Sequence, residues 1–145
     1  MSTRSSLAAL PSMLDAADRS LKVRREVAGF VLPFGVAIFR LSGAITWVTY
    51  GLFLSKLYDV PFGGIGIATL SLAAIVMNFA VPGIPSGGLL IITPIFVTLG
   101  FPAEAVGLLI AVDASPDFFK TVLNVTSHMT AMVIVNRLST AGAAA

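Results

Sequence analysis

Residues 60–103 read VPFGGIGIATLSLAAIVMNFAVPGIPSGGLLIITPIFVTLGFPA, a run of 44 residues without one charged side chain. An ordinary soluble domain carries about 25% charged residues and can hide one apolar element of normal length. It cannot hide a run of this size that continues almost unbroken to Val135. The rest of the chain agrees. Of its 145 residues 57% are hydrophobic and 11% charged, and the mean hydropathy is +0.96. The sequence is therefore read as an all-α integral membrane protein.

The centre of the run, Val81-Pro-Gly-Ile-Pro-Ser-Gly-Gly88, cannot stay helical, because it holds two prolines and three glycines. Its flanking arms, about 18 and 12 residues, are short against the roughly 20 that a span requires. Irregular backbone is tolerated at membrane depth only where protein buries it or where it lines a cavity. Residues 62–101 thus predict a re-entrant helical hairpin with its tip near mid-membrane. The plainer alternative is two tilted spans joined by a surface turn.

C-terminal to the hairpin, residues 102–138 predict one long final helix. Asp113, Asp117, Lys120, Asn124 and His128 recur at spacings of three and four, which gathers all five on one side of its helical wheel. Three charged groups and a histidine on one narrow face call for a polar pathway, since each costs a few kcal/mol to place in a span. The structural alternative is a salt-bridge network internal to the helix. N-terminal to the hairpin, residues 26–58 are too long for one span and carry Pro33, Gly35, Arg40 and Ser42-Gly43. They predict a helix broken near Phe39–Gly43. A straight, tilted helix with a snorkelling arginine competes with that reading.

Residues 5–25 predict an amphipathic helix with Leu7, Leu10, Leu14, Ala17 and Leu21 as its apolar stripe. Arg19, Lys22, Arg24 and Arg25 sit at its end, just before the first long apolar stretch, a basic cluster that marks a cytoplasmic membrane edge. No basic surface with interleaved aromatics accompanies the cluster, so a nucleic-acid partner is not expected. The absence of cysteine excludes thiol chemistry. A lone histidine without cysteine does not make a transition-metal site. Two carboxylates four apart on one helix do not normally converge on a scissile bond, so no enzyme and no cofactor is expected. Residues 139–145 read as a disordered tail.

Four segments resemble the dicarboxylate/amino acid:cation symporters, the glutamate-transporter homologues. Thr3-Arg-Ser-Ser-Leu-Ala-Ala-Leu-Pro11 resembles the serine-rich tip and second arm of their first hairpin, which implies that residues 3–25 form that arm. Val31-Leu-Pro-Phe-Gly35 is similar to the opening of their broken seventh helix, and Gly83-Ile-Pro-Ser-Gly-Gly88 to their second hairpin tip. Asp113 through Val125, ending in Asn124-Val-Thr126, resembles their eighth helix. The resemblance implies that residues 1–138 are part of an elevator-type transport domain for acidic amino acids or dicarboxylates in the cell (inner) membrane. It implies substrate contacts from Ser5, Ser6, Ile84, Pro85, Ser86, Gly87, Asp117, Lys120, Thr121 and Asn124. Asp117 would hold the substrate amino group, Lys120 its side-chain carboxylate and Asn124 its α-carboxylate.

The chain departs from that family where the coupling ion matters. Phe39-Arg-Leu-Ser-Gly43 stands in place of the family's Asn-Met-Asp-Gly-Thr, and His128 in place of its late aspartate. Gly35, Phe39, Arg40, Asp113, Asn124 and His128 are accordingly expected to form a coupling-ion or charge network without either sodium-ligating carboxylate. Histidine titrates near pH 6.5 when unperturbed, so proton coupling or uncoupled exchange is expected over sodium. The alternative is that backbone carbonyls around Gly35, Phe39 and the second hairpin still hold one sodium. The chain begins at the first hairpin tip and is expected to be a truncated C-terminal portion. A homotrimer is expected only where the family's N-terminal scaffold is present. A defective remnant or non-transporting module needing a partner chain, and an ion channel, remain the other readings.

Overall fold

The computed structural model describes residues 5–77 and 87–143. These form helices only: α1 (Ser6–Arg19), α2 (Arg25–Ile38), α3 (Leu41–Tyr58), α4 (Gly64–Met77), α5 (Gly87–Thr98), α6 (Ala103–Val112) and α7 (Ala114–Ala143). Taken across its break, Arg25–Tyr58 is long and apolar enough to cross a bilayer, and so is Ala114–Gly142. α4, α5 and α6 are each shorter than a span. Large apolar side chains point outward on most helices, among them Phe30, Ile65, Leu90 and Phe119, each at least 65% exposed. A water-soluble surface does not carry that much apolar area, whereas a lipid-facing one requires it.

The stripe expected on the first helix is only partly the buried one. Met13 and Ala17 are buried with Leu10 and Leu14 packed alongside, while Leu7 and Leu21 are exposed. α1 ends at Arg19, and Lys22 turns the chain at a φ of 50°. Beyond that turn Arg25 returns to Asp18 at 3.0 Å, and its guanidinium holds the Asp18 carboxyl below the ordinary carboxylate range. Both groups are exposed, so the pair adds little stability.

The apolar interior comes in two parts. One joins α1, α2 and α7 through Met13, Ala17, Leu32, Val36, Val125 and Met132. The other joins α3 to α6 through Trp47, Leu54, Leu70, Ile92, Phe96 and Leu109. Within the second, Phe62 lies between α3 and α4 where a Cβ on Gly51 or Gly66 would stand 2.7 or 2.5 Å from its ring. Any side chain at either glycine would have to displace the Phe62 ring.

The interruption expected near Phe39–Gly43 falls at Phe39–Arg40, which are both extended between α2 and α3. The final helix is not one piece. Asp113 separates α6 from α7, because Pro116 has no N–H for the Val112 carbonyl and its ring crowds that turn. Residues 139–143, expected to be unstructured, continue α7. There the Ser139 and Thr140 hydroxyls bond the Asn136 carbonyl, and the alanines that follow favour helix.

Candidate functional site

The polar face of α7 runs along the seam between the two apolar clusters and meets the α2–α3 break. Asp113 is fully buried, and Asp117, Asn124 and His128 are at most 9% exposed. Lys120 Nζ lies 2.7 Å from Asp113 Oδ1 and 3.2 Å from Asp117 Oδ1. The Tyr50 hydroxyl, from α3, donates to the same Asp113 oxygen, and its ring faces the Lys120 ammonium at 5.9 Å from the centroid. Arg40, at the break, lies within electrostatic reach of Asp117. Two cations thus balance two carboxylates, which makes burial of the four tolerable. Asp117 Oδ2 is buried and has no hydrogen-bond partner among the described residues.

Lower on the same face, α7 reaches the two helix ends created by the break. The Ser42 amide donates to Asn124 Oδ1 at 3.1 Å, and Asn124 Nδ2 donates back to Ser42 Oγ at 2.9 Å. His128 Nε2 lies 2.7 Å from the Phe39 carbonyl, which can only accept, so Nε2 carries the proton. Toward the start of α2 the Arg24 amide donates to Asn136 Oδ1 at 3.4 Å. Both ends at the break are therefore met by side chains of one neighbour, as buried helix ends require, and the exposed start of α2 is met by the same helix.

The expected site residues divide accordingly. Asn124, His128, Gly35 and Phe39 come together around the break with Arg40, while Asp113, Asp117 and Lys120 cluster farther along the same face beside Tyr50. Asn124, expected to face a ligand carboxylate, is bonded to Ser42 on both faces of its amide. Thr121 donates to its own helix at Asp117 O, 3.0 Å away. Ser5 caps α1 by accepting from the Ala8 amide, and Ser6 is buried. Gly87 opens α5, while Ile84, Pro85 and Ser86 lie outside the described residues. Tyr50 was missed, although a phenol in an apolar helix always needs a hydroxyl partner.

Gly35 lets His128 close on Phe39, since a Cβ there would stand 3.1 Å from His128 Cδ2. Gly29, in the same helix, has nothing within 4 Å of such a Cβ. Alanine gains about 1 kcal/mol over glycine in a helix interior, and overpacking costs about 1–3 kcal/mol. Gly29→Ala is expected to raise the unfolding midpoint and Gly35→Ala to lower it, each by about 2–4 °C in thermal melts. Equal shifts of one sign would show that the ring does not constrain Gly35.

A model of the sodium:dicarboxylate symporter family matches residues 1–138. The chain is 33% identical over 135 residues to excitatory amino acid transporter 3 of Homo sapiens, covering 93% of this chain and 26% of that protein. It is 32% identical over 139 residues to human excitatory amino acid transporter 2, covering 96% and 24%. It is also 30% identical over 137 residues to neutral amino acid transporter A of Bos taurus, covering 94% and 26%. The chain spans about a quarter of the length of these curated relatives.

Proposed function

Because the chain belongs to the sodium:dicarboxylate symporter family, we propose that it forms the substrate-binding part of a multi-pass secondary transporter in the cell (inner) membrane. Its transported substrate in this reading is an acidic amino acid or dicarboxylate. The observation that carries this is the charge pattern on α7: Asp117 offers a buried carboxylate oxygen without a partner among the described residues, with the Lys120 ammonium on the same face. A zwitterion with an extra carboxylate complements that pair, its amine against Asp117 and its side-chain carboxylate against Lys120. Relatives named as excitatory and as neutral amino acid transporters support amino acid transport, and the acidic preference rests on Lys120.

In this reading residues 62–101 are a re-entrant hairpin whose tip, Ile84 to Gly87, covers the substrate, and the transport domain moves as an elevator. Ser5 and Ser6 approach from the other side, with Thr121 and Asn124 completing the pocket wall. Coupling is to a proton, or to no ion with exchange, because neither Leu41 nor His128 supplies a carboxylate.

Lys120 is the discriminating residue. It must release part of its hold on Asp113 and Asp117 to meet a ligand carboxylate, so its contribution is a preference. Titration calorimetry of the protein purified from membranes should show saturable binding of L-aspartate. In Lys120→Met the preference for L-aspartate over L-serine should fall at least tenfold, about 1.4 kcal/mol. Unchanged L-aspartate affinity in that variant removes Lys120 from the site. Ohmic conduction without saturable binding would instead favour a pore.

A further inference from the structure

A helix broken inside a membrane protein leaves carbonyls at the end of its first half and amides at the start of its second. The partial charge is negative at the former and positive at the latter. Neither end can be left bare where water is scarce. Transporters meet this demand with coupling ions at the carbonyl end and anionic groups at the amide end. Here both ends are met from within the chain, by two side chains one turn apart on α7.

At the carbonyl end the imidazole of His128, 2% exposed, gives its Nε2 proton to the Phe39 oxygen at 2.7 Å. At the amide end the Asn124 side chain, 5% exposed, exchanges two hydrogen bonds with Ser42. The fit at the carbonyl end is tight, since a Cβ at Gly35 would stand 3.1 Å from the ring. A sodium ion is a hard cation that takes oxygen ligands. The residues here do not suit it: His128 presents an N–H donor to the oxygen that a cation would need, Leu41 is aliphatic, and Arg40 brings a fixed positive charge close to the imidazole.

We propose that His128 and Asn124 form a built-in clasp that holds the two halves of the broken helix in the place of a coupling cation. His128 is then a positioning residue whose Nε2 proton substitutes for ionic charge at the Phe39 carbonyl. The clasp deepens the coupling part of the function proposed above. Its geometry is tested by stability, which does not depend on any substrate being bound.

Four proteins are compared by thermal unfolding after purification in detergent, in sodium chloride or choline chloride at one pH and ionic strength. The original protein should melt within about 1 °C in the two salts. His128→Gln, whose amide can reach the same carbonyl, should behave likewise. His128→Leu keeps bulk but removes the donor, and should melt roughly 5 °C lower in both salts. His128→Asp sets carboxylate oxygens against a carbonyl oxygen, an arrangement that only a bridging cation relieves. It should melt low in choline and recover by roughly 5 °C or more in saturating sodium. A sodium-dependent rise of that size in the original protein overturns the clasp, and so does a His128→Leu variant as stable as His128→Gln. Should His128→Asp not fold in either salt, the leucine and glutamine melts decide alone. Loss of L-aspartate binding with these melts intact would count against the transport reading and leave the clasp standing.

Discussion

Asp113→Ala should lower the stability of the protein by about 3 kcal/mol, toward the low end of the 3–5 kcal/mol found when one partner leaves a buried ion pair. Asp113 is fully buried and accepts from both Tyr50 and Lys120. Removing it orphans a phenol and leaves an ammonium 19% exposed with one carboxylate, Asp117 at 3.2 Å. That remaining partner is the reason for the lower end of the range. Chemical unfolding in mixed micelles reads the change. Asp113→Ala combined with Lys120→Met should restore more than half of the loss, because the buried charge disappears with its partner. If the single substitution costs under about 1 kcal/mol, or the double one is fully additive, the cluster is not held by this pair.

Much of this arrangement is written in short-range signals, and the remainder depends on side chains meeting across the fold. The five polar positions from Asp113 to His128 share a helical face by spacing alone. The break between α2 and α3 is legible because Arg40 and Ser42-Gly43 interrupt an apolar helix. The interruption at Asp113 was equally legible, since Pro116 removes one amide and crowds the preceding turn, but the polar periodicity of the face masked it. What spacing could not give is the assignment of partners. Asn124 lies on the expected face, yet its amide is engaged by Ser42, 82 residues away in sequence. His128 suggests a titrating group when read alone. The Phe39 carbonyl, 89 residues away, makes it a donor of fixed direction. The outward placement of Leu7 and Leu21 has a simpler cause. In lipid an exposed leucine costs nothing, so an apolar stripe no longer identifies the buried face.

Asp117→Ala is expected to reduce L-aspartate affinity by at least about 100-fold, near 2.7 kcal/mol and within the 2–5 kcal/mol cost of truncating one side of a buried charged contact. One oxygen of Asp117 is committed to Lys120, and the other is buried without a partner among the described residues. A substrate ammonium would fill that position and relieve its desolvation. Succinate has no amine and gains nothing there, so its affinity should change less than tenfold, under about 1.4 kcal/mol. Comparing the two ligands on the same variant separates lost recognition from general damage, since damage lowers both alike. Equal losses for L-aspartate and succinate would take the amine away from Asp117.

The helix ends that α7 secures also constrain how the chain enters the membrane. α7 carries Asp117 and Lys120, and each charged side chain adds about 2.5–3.5 kcal/mol to the insertion of an isolated segment. Its mutual Asp117–Lys120 contact can form within the helix itself and lower that toll. Arg40 carries the same penalty for the α2–α3 segment, which is synthesised first and must wait for its partner. Neither segment is a good lone passenger through the insertion machinery, whereas together they cancel charge and cap each other's ends. The broken helix should therefore stay in a hydrated, protease-sensitive arrangement until residues past Asn136 have been translated. Its resistance to cleavage should then appear in one step as α7 docks.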